Sequence, residues 1–329
     1  MAASLSPERS FAEATAIKQL SSHTYEAYFP DDWCIGSVPH GGFVTSCFLQ
    51  VAATHFGTTL SAQKQPHTIT LHLDFLRRTG VGPATFTVTD VKLGRQTSVI
   101  HVALAQAQGH DPAAHARQEV VGYLTNSNVT TESGLTLDTT YRLEPPPPPV
   151  DLHALRRGDD AHWAWRERMP FSGFRRASEK VRFHFPRAGQ PQGIGDEWLC
   201  FANGERFTDA TLGYLVDIFP MPAESLMDSR NPYEPSERGD GEEAGETRAE
   251  RWYPTLVLNL DIKKSLPDEG VEWLFARVLA KRIQNGRMDL EVVILDEAGD
   301  IVALSHHVTL ALGAERNLAK RRHIGSSNL

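Results

Sequence analysis

The segment Trp33-Cys34-Ile35-Gly36-Ser37-Val38-Pro39-His40-Gly41-Gly42-Phe43 leads into residues with helical apolar spacing. Gly41 and Gly42 carry no Cβ, so the backbone can approach a bound molecule there, and the amides that open a helix lack intrahelical acceptors. Such amides can polarise a carbonyl and hold the oxyanion that forms on attack; a tight strand-to-helix turn would use the same two glycines. Asp217, at the end of a second helical stretch, offers a carboxylate that can orient or deprotonate water. It sits about 140° around a helical wheel from Leu212, away from the stripe of Leu212, Leu215, Val216 and Phe219, which also suits an acid facing solvent. Thr255 is read on the strand face opposite Leu256, Leu258 and Leu260, as a hydroxyl donor or an ordinary β-branched residue. His306 and His307 point to opposite sides of one strand, and an imidazole titrates near ~6.5, within reach of proton transfer at neutrality.

Other chemistries lack their motifs. No G-x-S-x-G elbow marks a serine hydrolase of the α/β type. There is no H-E-x-x-H, and Gly193-Ile194-Gly195 lacks the third glycine of a dinucleotide loop, so neither a metal nor a nicotinamide cofactor is implied. Three cysteines without a C-x-x-C pair form no disulfide framework and point to a reducing compartment. The net charge of −8 argues against a surface that tracks phosphates, so nucleic acid is not the expected partner. With 40% hydrophobic residues spread over 329 positions and no run of ~18–20 apolar residues, a large buried core is expected and a membrane span is not. The N-terminus shows no secretory pattern, and a cytoplasmic location is expected. The C-terminal Ser327-Asn328-Leu329 is a weak peroxisomal match, with asparagine at the basic position.

The elements that must position these groups repeat. Ile69, Leu71, Leu73 and Phe75 alternate with polar residues in the first half, as Leu256, Leu258, Leu260 and Ile262 alternate with Val257, Asn259 and Asp261 in the second. Each strand ends in a basic pair, Arg77-Arg78 or Lys263-Lys264, and each is followed by segments meeting at a Gly-Arg turn, Gly94-Arg95 or Gly286-Arg287. One helix precedes each meander, over Gly42 to Phe56 and Asp209 to Phe219. The expected fold is α+β: two lobes, each wrapping an antiparallel sheet around its helix and joined edge to edge, with two unrelated α+β domains as the competing reading. The lobes are placed at 1–125 and 179–329. They are separated by a proline-rich linker at 126–178, with five consecutive prolines from Pro145 to Pro149, and an acidic insertion spans about 222–250. Trp163 and Trp165 in the linker could line a pocket or pin the linker down.

The Pro-His-Gly-Gly-aromatic run and the order of elements together resemble the double-hotdog acyl-CoA thioesterases, a thioesterase II-like group with many fungal members. The resemblance implies a crevice between two hotdog lobes that takes an acyl thioester, on coenzyme A or on a carrier protein. It implies water held by Asp217 and Thr255, with His307 standing where the family has a glutamine. It also implies His40, Gly41 and Gly42 as the residues against the substrate. Arg77, Arg78, Lys263 and Lys264 could then meet coenzyme A phosphates, or simply be solvated. The departure at His307 supports one alternative, a hotdog enzyme that dehydrates, cyclises or decarboxylates a biosynthetic intermediate; a non-catalytic acyl-binding module is another. The paired lobes satisfy the sheet edges within one chain and leave a homo-oligomer open.

Overall fold

The computed structural model describes residues 9–107, 116–219, 221–227 and 249–319. One continuous antiparallel sheet dominates it. Its first-lobe strands are β1 (Lys18–Gln19), β2 (Thr24–Phe29), β3 (His67–Phe75), β4 (Gly82–Lys92), β5 (Ser98–Gln106) and β6 (Arg117–Ser127). The second lobe contributes β7 (Trp163–Trp165), β8 (Val181–Pro186), β9 (Ile194–Phe201), β10 (Thr255–Ile262), β11 (Leu274–Gln284), β12 (Arg287–Leu295) and β13 (Ile301–Leu310). The spatial order is β1-β2-β4-β5-β6-β3-β10-β13-β12-β11-β9-β8-β7. Read outward from the centre, the two halves repeat the same connectivity, as the edge-to-edge reading expects.

The junction is formed by the two strands with the clearest alternation. β3 pairs with β10, placing Leu73 opposite Leu258 and Leu71 opposite Leu260, all four buried. Their outward neighbours His72 and Asn259 meet across the same seam, with Nδ1 and Oδ1 2.7 Å apart. The hairpin between β11 and β12 turns through Asn285 and Gly286 at φ 53° and 75°, a left-handed pair suited to a two-residue turn.

The long helix of the first lobe, α1 (Gly41–Gly57), is buried without interruption from Gly42 to Leu49, which marks a central helix wrapped by its sheet. The expectation of a long helix in each lobe holds only for the first. In the second, a 3-10 turn at Asp209–Thr211 leads into α2 (Leu212–Leu215), a single turn, and its last bonds tighten as Asp217 N–H donates to the Tyr214 carbonyl at 3.2 Å. Pro220 and Pro222 lack the amides that a longer helix would need. Gly213 lets this turn lie against α1: a Cβ there would stand 2.7 Å from the Ser46 nitrogen.

The segment at 126–178 is not a bare spacer. It holds the helix Leu152–Arg157 and the edge strand β7, and its Leu143, Leu155 and Trp163 pack with Trp198, Trp273 and Phe275 on the outer face of the second lobe. Trp163 Nε1 donates to the Pro149 carbonyl at 3.1 Å, and Arg277, paired with Asp196, donates to the Pro145 carbonyl at 2.6 Å. The proline run is thus fastened to the sheet because its carbonyls remain free acceptors. Of the acidic insertion, Pro222–Met227 forms a short helix that seats Ala223 beside Met288 and Leu290. The rest, at 228–248, lies outside the described residues, as does the tail with Ser327–Leu329. Among the described residues no helix is long and apolar enough to cross a membrane, and the three cysteines are buried and unpaired.

Candidate active site

Asp217 lies where α1 of the first lobe meets the end of α2, and its side chain is 9% exposed. One carboxylate oxygen, Oδ2, accepts the Gly42 amide at 2.6 Å, so the first lobe holds the acid of the second. The other, Oδ1, accepts the Thr255 hydroxyl at 3.1 Å and faces His307 Nδ1 at 3.4 Å. His40 caps α1: its Nδ1 accepts the Phe43 amide at 3.3 Å, which leaves Nε2–H to donate to the Asp217 backbone carbonyl at 3.1 Å. Burial works to raise the Asp217 carboxyl, but His40, His307 and Thr255 together outweigh it and hold it below the usual carboxylate range. Burial pushes the His40 imidazole down despite the pull of Asp217, in keeping with a ring that accepts at one nitrogen.

The sequence-predicted residues therefore converge, with two corrections. Gly42 does not present its amide to a substrate, because Asp217 already takes it; a Cβ at Gly42 would come within 2.8 Å of the Tyr214 carbonyl, so the residue serves a close helix contact. Gly41, the first residue of the helix, is half-buried and lines the cavity, and its amide has no acceptor inside the helix. Thr255 does not reach the site from the face opposite the leucines. A register shift between Thr255 and Val257 places a bulge at Leu256 and turns Thr255 to the same inner side as Leu258 and Leu260, opposite Thr309. The period-two pattern hides such a bulge.

Ser305 completes the group and was not singled out by sequence. Its Oγ donates to the Asn259 carbonyl at 2.6 Å, which spends its one hydrogen, and lies 2.8 Å from His307 Nε2. It therefore accepts from Nε2–H, and the neutral ring turns a bare Nδ1 toward the Asp217 carboxylate. Two acceptors facing each other at 3.4 Å need a hydrogen between them, supplied either by protonating the ring or by a water that donates to both. The available signal was alternation: Ser305, His307 and Thr309 occupy one strand face, and all three are buried, with His307 at 1% exposure and His306 exposed on the other side.

His40, Gly41, Asp217, Thr255 and His307 line a cavity of about 750 Å³ between the lobes. Its apolar walls include Phe75, Phe174, Phe219, Trp252 and Leu290, while Arg77, Arg78, Arg251 and Arg316 also line it. Of the two basic strand ends, only the first faces this space; Lys264 instead pairs with Asp296 at 2.6 Å and Asp300 at 2.7 Å. Trp163 and Trp165 are not among the lining residues, and Trp163 pins the proline run.

The sheet, the paired lobes and a cavity at their seam define a double hotdog. The profile of the acyl-CoA thioesterase N-terminal domain matches residues 29–125, and that of the C-terminal domain matches 144–311. The chain is 38% identical to the thioesterase-like protein TwmA of Talaromyces wortmannii, over 97% of each chain. Two solved structures share the fold at lower identity. A hot dog protein of unknown function from Alicyclobacillus acidocaldarius is 13% identical, with a TM-score of 0.67 over 93% of this chain and 98% of that one. The acyl-CoA thioesterase II TesB2 of Mycobacterium marinum is 17% identical, with a TM-score of 0.59 over 92% and 98%. The chain belongs to the acyl-CoA thioesterase family.

Proposed function

We propose that this chain hydrolyses an acyl thioester, with the acyl chain in the apolar part of the inter-lobe cavity and an anionic carrier arm toward Arg77, Arg78 and Arg316. The observation that carries this reading is the sequestered Asp217 carboxylate, gripped by the Gly42 amide and the Thr255 hydroxyl and set opposite His307 Nδ1. A water donates to Asp217 Oδ1 and to His307 Nδ1. As its oxygen bonds to the thioester carbon, the proton passes to Nδ1, and Asp217 stabilises the imidazolium. The Gly41 amide at the start of α1 meets the oxyanion. The carbon–sulfur bond then breaks, the imidazolium returns the proton to the thiolate, and a carboxylic acid and a free thiol leave. No covalent enzyme intermediate is involved.

Asp217, held below the carboxylate range, is a poor base by itself. In this reading it aligns the water and the ring while histidine, at the family's glutamine position, moves the proton. Thiol release over a panel of acyl-CoA substrates is the test. Turnover of at least one substrate is expected, with Asp217→Asn losing more than about tenfold in kcat/KM, roughly 1.4 kcal/mol of transition-state stabilisation. Absence of turnover across the panel, or a smaller loss in the variant, overturns the assignment. Product masses separate hydrolysis, which adds water and frees thiol, from dehydration, cyclisation or decarboxylation.

A further inference from the structure

A second cluster of chemically capable side chains sits at the other end of α1, about 20 Å along the helix from Gly42. His55 comes from the last turn of α1, His23 immediately precedes β2, and Asp90 lies near the end of β4. His55 Nε2 is 2.9 Å from Asp90 Oδ1, and His23 Nε2 is 3.2 Å from Asp90 Oδ2. One ligand atom from each of the three lies within 4.8 Å of the others. None of these residues touches the inter-lobe cavity.

Each imidazole is also held from behind. His23 Nδ1 lies 2.9 Å from Ser22 Oγ, and His55 Nδ1 lies 2.7 Å from the Tyr25 hydroxyl. That hydroxyl is 3.0 Å from the Ser22 carbonyl, a bond only the hydroxyl can donate; made that way, it accepts from His55 Nδ1–H and leaves Nε2 a bare lone pair aimed at a carboxylate. An oxygen on the remote ring nitrogen, which fixes the tautomer and turns the near nitrogen inward, is the outer support that metal-binding histidines use. The spacing is compatible as well: ligand bonds of about 2.05 Å in a tetrahedron put neighbouring ligand atoms about 3.3 Å apart, and the three side chains each offer one ligand atom within 4.8 Å of the others. A register shift between Asp90 and Lys92 places a bulge beside the carboxylate, a feature that re-aims a side chain out of the regular alternation.

We propose that His23, His55 and Asp90 bind one first-row divalent ion of the Zn²⁺ class. Two imidazole nitrogens and one carboxylate oxygen match the donor preference of such ions rather than of Mg²⁺ or Ca²⁺, which prefer all-oxygen shells. The fourth position opens to solvent, since His23 is 41% and Asp90 24% exposed while His55 is fully buried. The ion takes no part in thioester hydrolysis. It fastens the end of the central helix to β2 and β4, and binding stabilises the folded chain over the unfolded one.

The experiment uses full-length protein freed of any affinity tag, stripped with chelator and dialysed, then titrated calorimetrically with Zn²⁺ and in parallel with Co²⁺ followed in the visible range. The expected result is one ion per chain, a four-coordinate Co²⁺ spectrum and a melting temperature raised by Zn²⁺. His23→Ala, at a partly exposed position, is expected to keep the far-ultraviolet dichroism and melting temperature of the metal-free protein while losing at least about tenfold in affinity. Asp90→Asn is expected to lose affinity similarly. Absence of binding near one equivalent, or affinity unchanged in His23→Ala because the ion sits elsewhere, overturns the proposal. So does a melting temperature unchanged by Zn²⁺.

Discussion

At the scale of single residues, the proton inventory around His307 is set by a neighbour that never touches the cavity. Ser305 gives its hydrogen to the Asn259 carbonyl and thereby fixes which nitrogen of His307 is bare. In the proposed reaction it is a positioning residue. Ser305→Ala is expected to lower kcat by roughly tenfold with KM nearly unchanged, and to move the acidic limb of the kcat pH profile because both ring tautomers become accessible. A purely structural role would lower the melting temperature and leave the pH profile in place. His306→Ala, on the exposed side of the same strand, is the control and should leave both kinetic parameters unchanged. Asp217, Thr255 and His307 could be named in advance because the resemblance to the thioesterases carried those positions over, while the apolar pattern fixed only the elements that bear them. Ser305 could not, since a serine within a strand has no pattern distinguishing a ring anchor from a surface hydroxyl.

Elements meet here through missing side chains. Gly42 and Gly213 let α1 and α2 touch backbone to backbone: a Cβ on Gly42 would stand 2.7 Å from the Gly213 carbonyl, and one on Gly213 would stand 2.9 Å from Ser46 Oγ. Backbone cannot step aside as a flexible side chain can, so Gly42→Ala must part the helices. The expected cost is about 1–3 kcal/mol, read as a lower urea midpoint, and parting also draws the Asp217 carboxylate away from the Gly42 amide, so activity should fall with stability. The strand content, the meanders and the seam were legible in the alternation of leucines at 69–75 and 256–262. The shortness of α2 was not. Its apolar spacing through Phe219 satisfies a helical template, yet the glycine contact and following prolines decide its length. The bulge at Leu256 escaped for a related reason: one extra residue leaves composition unchanged but flips Thr255 to the other face.

For the whole molecule, stability and pH are linked through groups far from the cavity. His184 in β8 lies edge-on to Trp273 with centroids 5.0 Å apart, and burial pushes its imidazole down to about 4. A histidine depressed in the fold is neutral there, so the unfolded chain takes up its proton first. The contribution is fully present above the unfolded value near ~6.5 and is lost as pH falls from there toward about 4. The loss amounts to roughly 3 kcal/mol over that window. Urea unfolding at neutral and mildly acidic pH should show it, and His184→Gln should flatten the slope; equal slopes in the two proteins would remove His184 as its source. The proline-rich segment, read from composition as a spacer, is tied to the sheet of the second lobe, because its carbonyls accept from Trp163 and Arg277.

The two lobes share a strand order but not a helix length, and that inequality has a consequence. A pair of identical subunits would present every group twice about its axis, so an acid and the helix start it grips would recur in two copies. Here the seam is asymmetric: one lobe brings the long helix and its leading amides, the other brings Asp217 on a shortened turn. Each flank can therefore change without imposing the same change on the other, and the chain holds one such pairing of acid and helix start where a homodimer would have two.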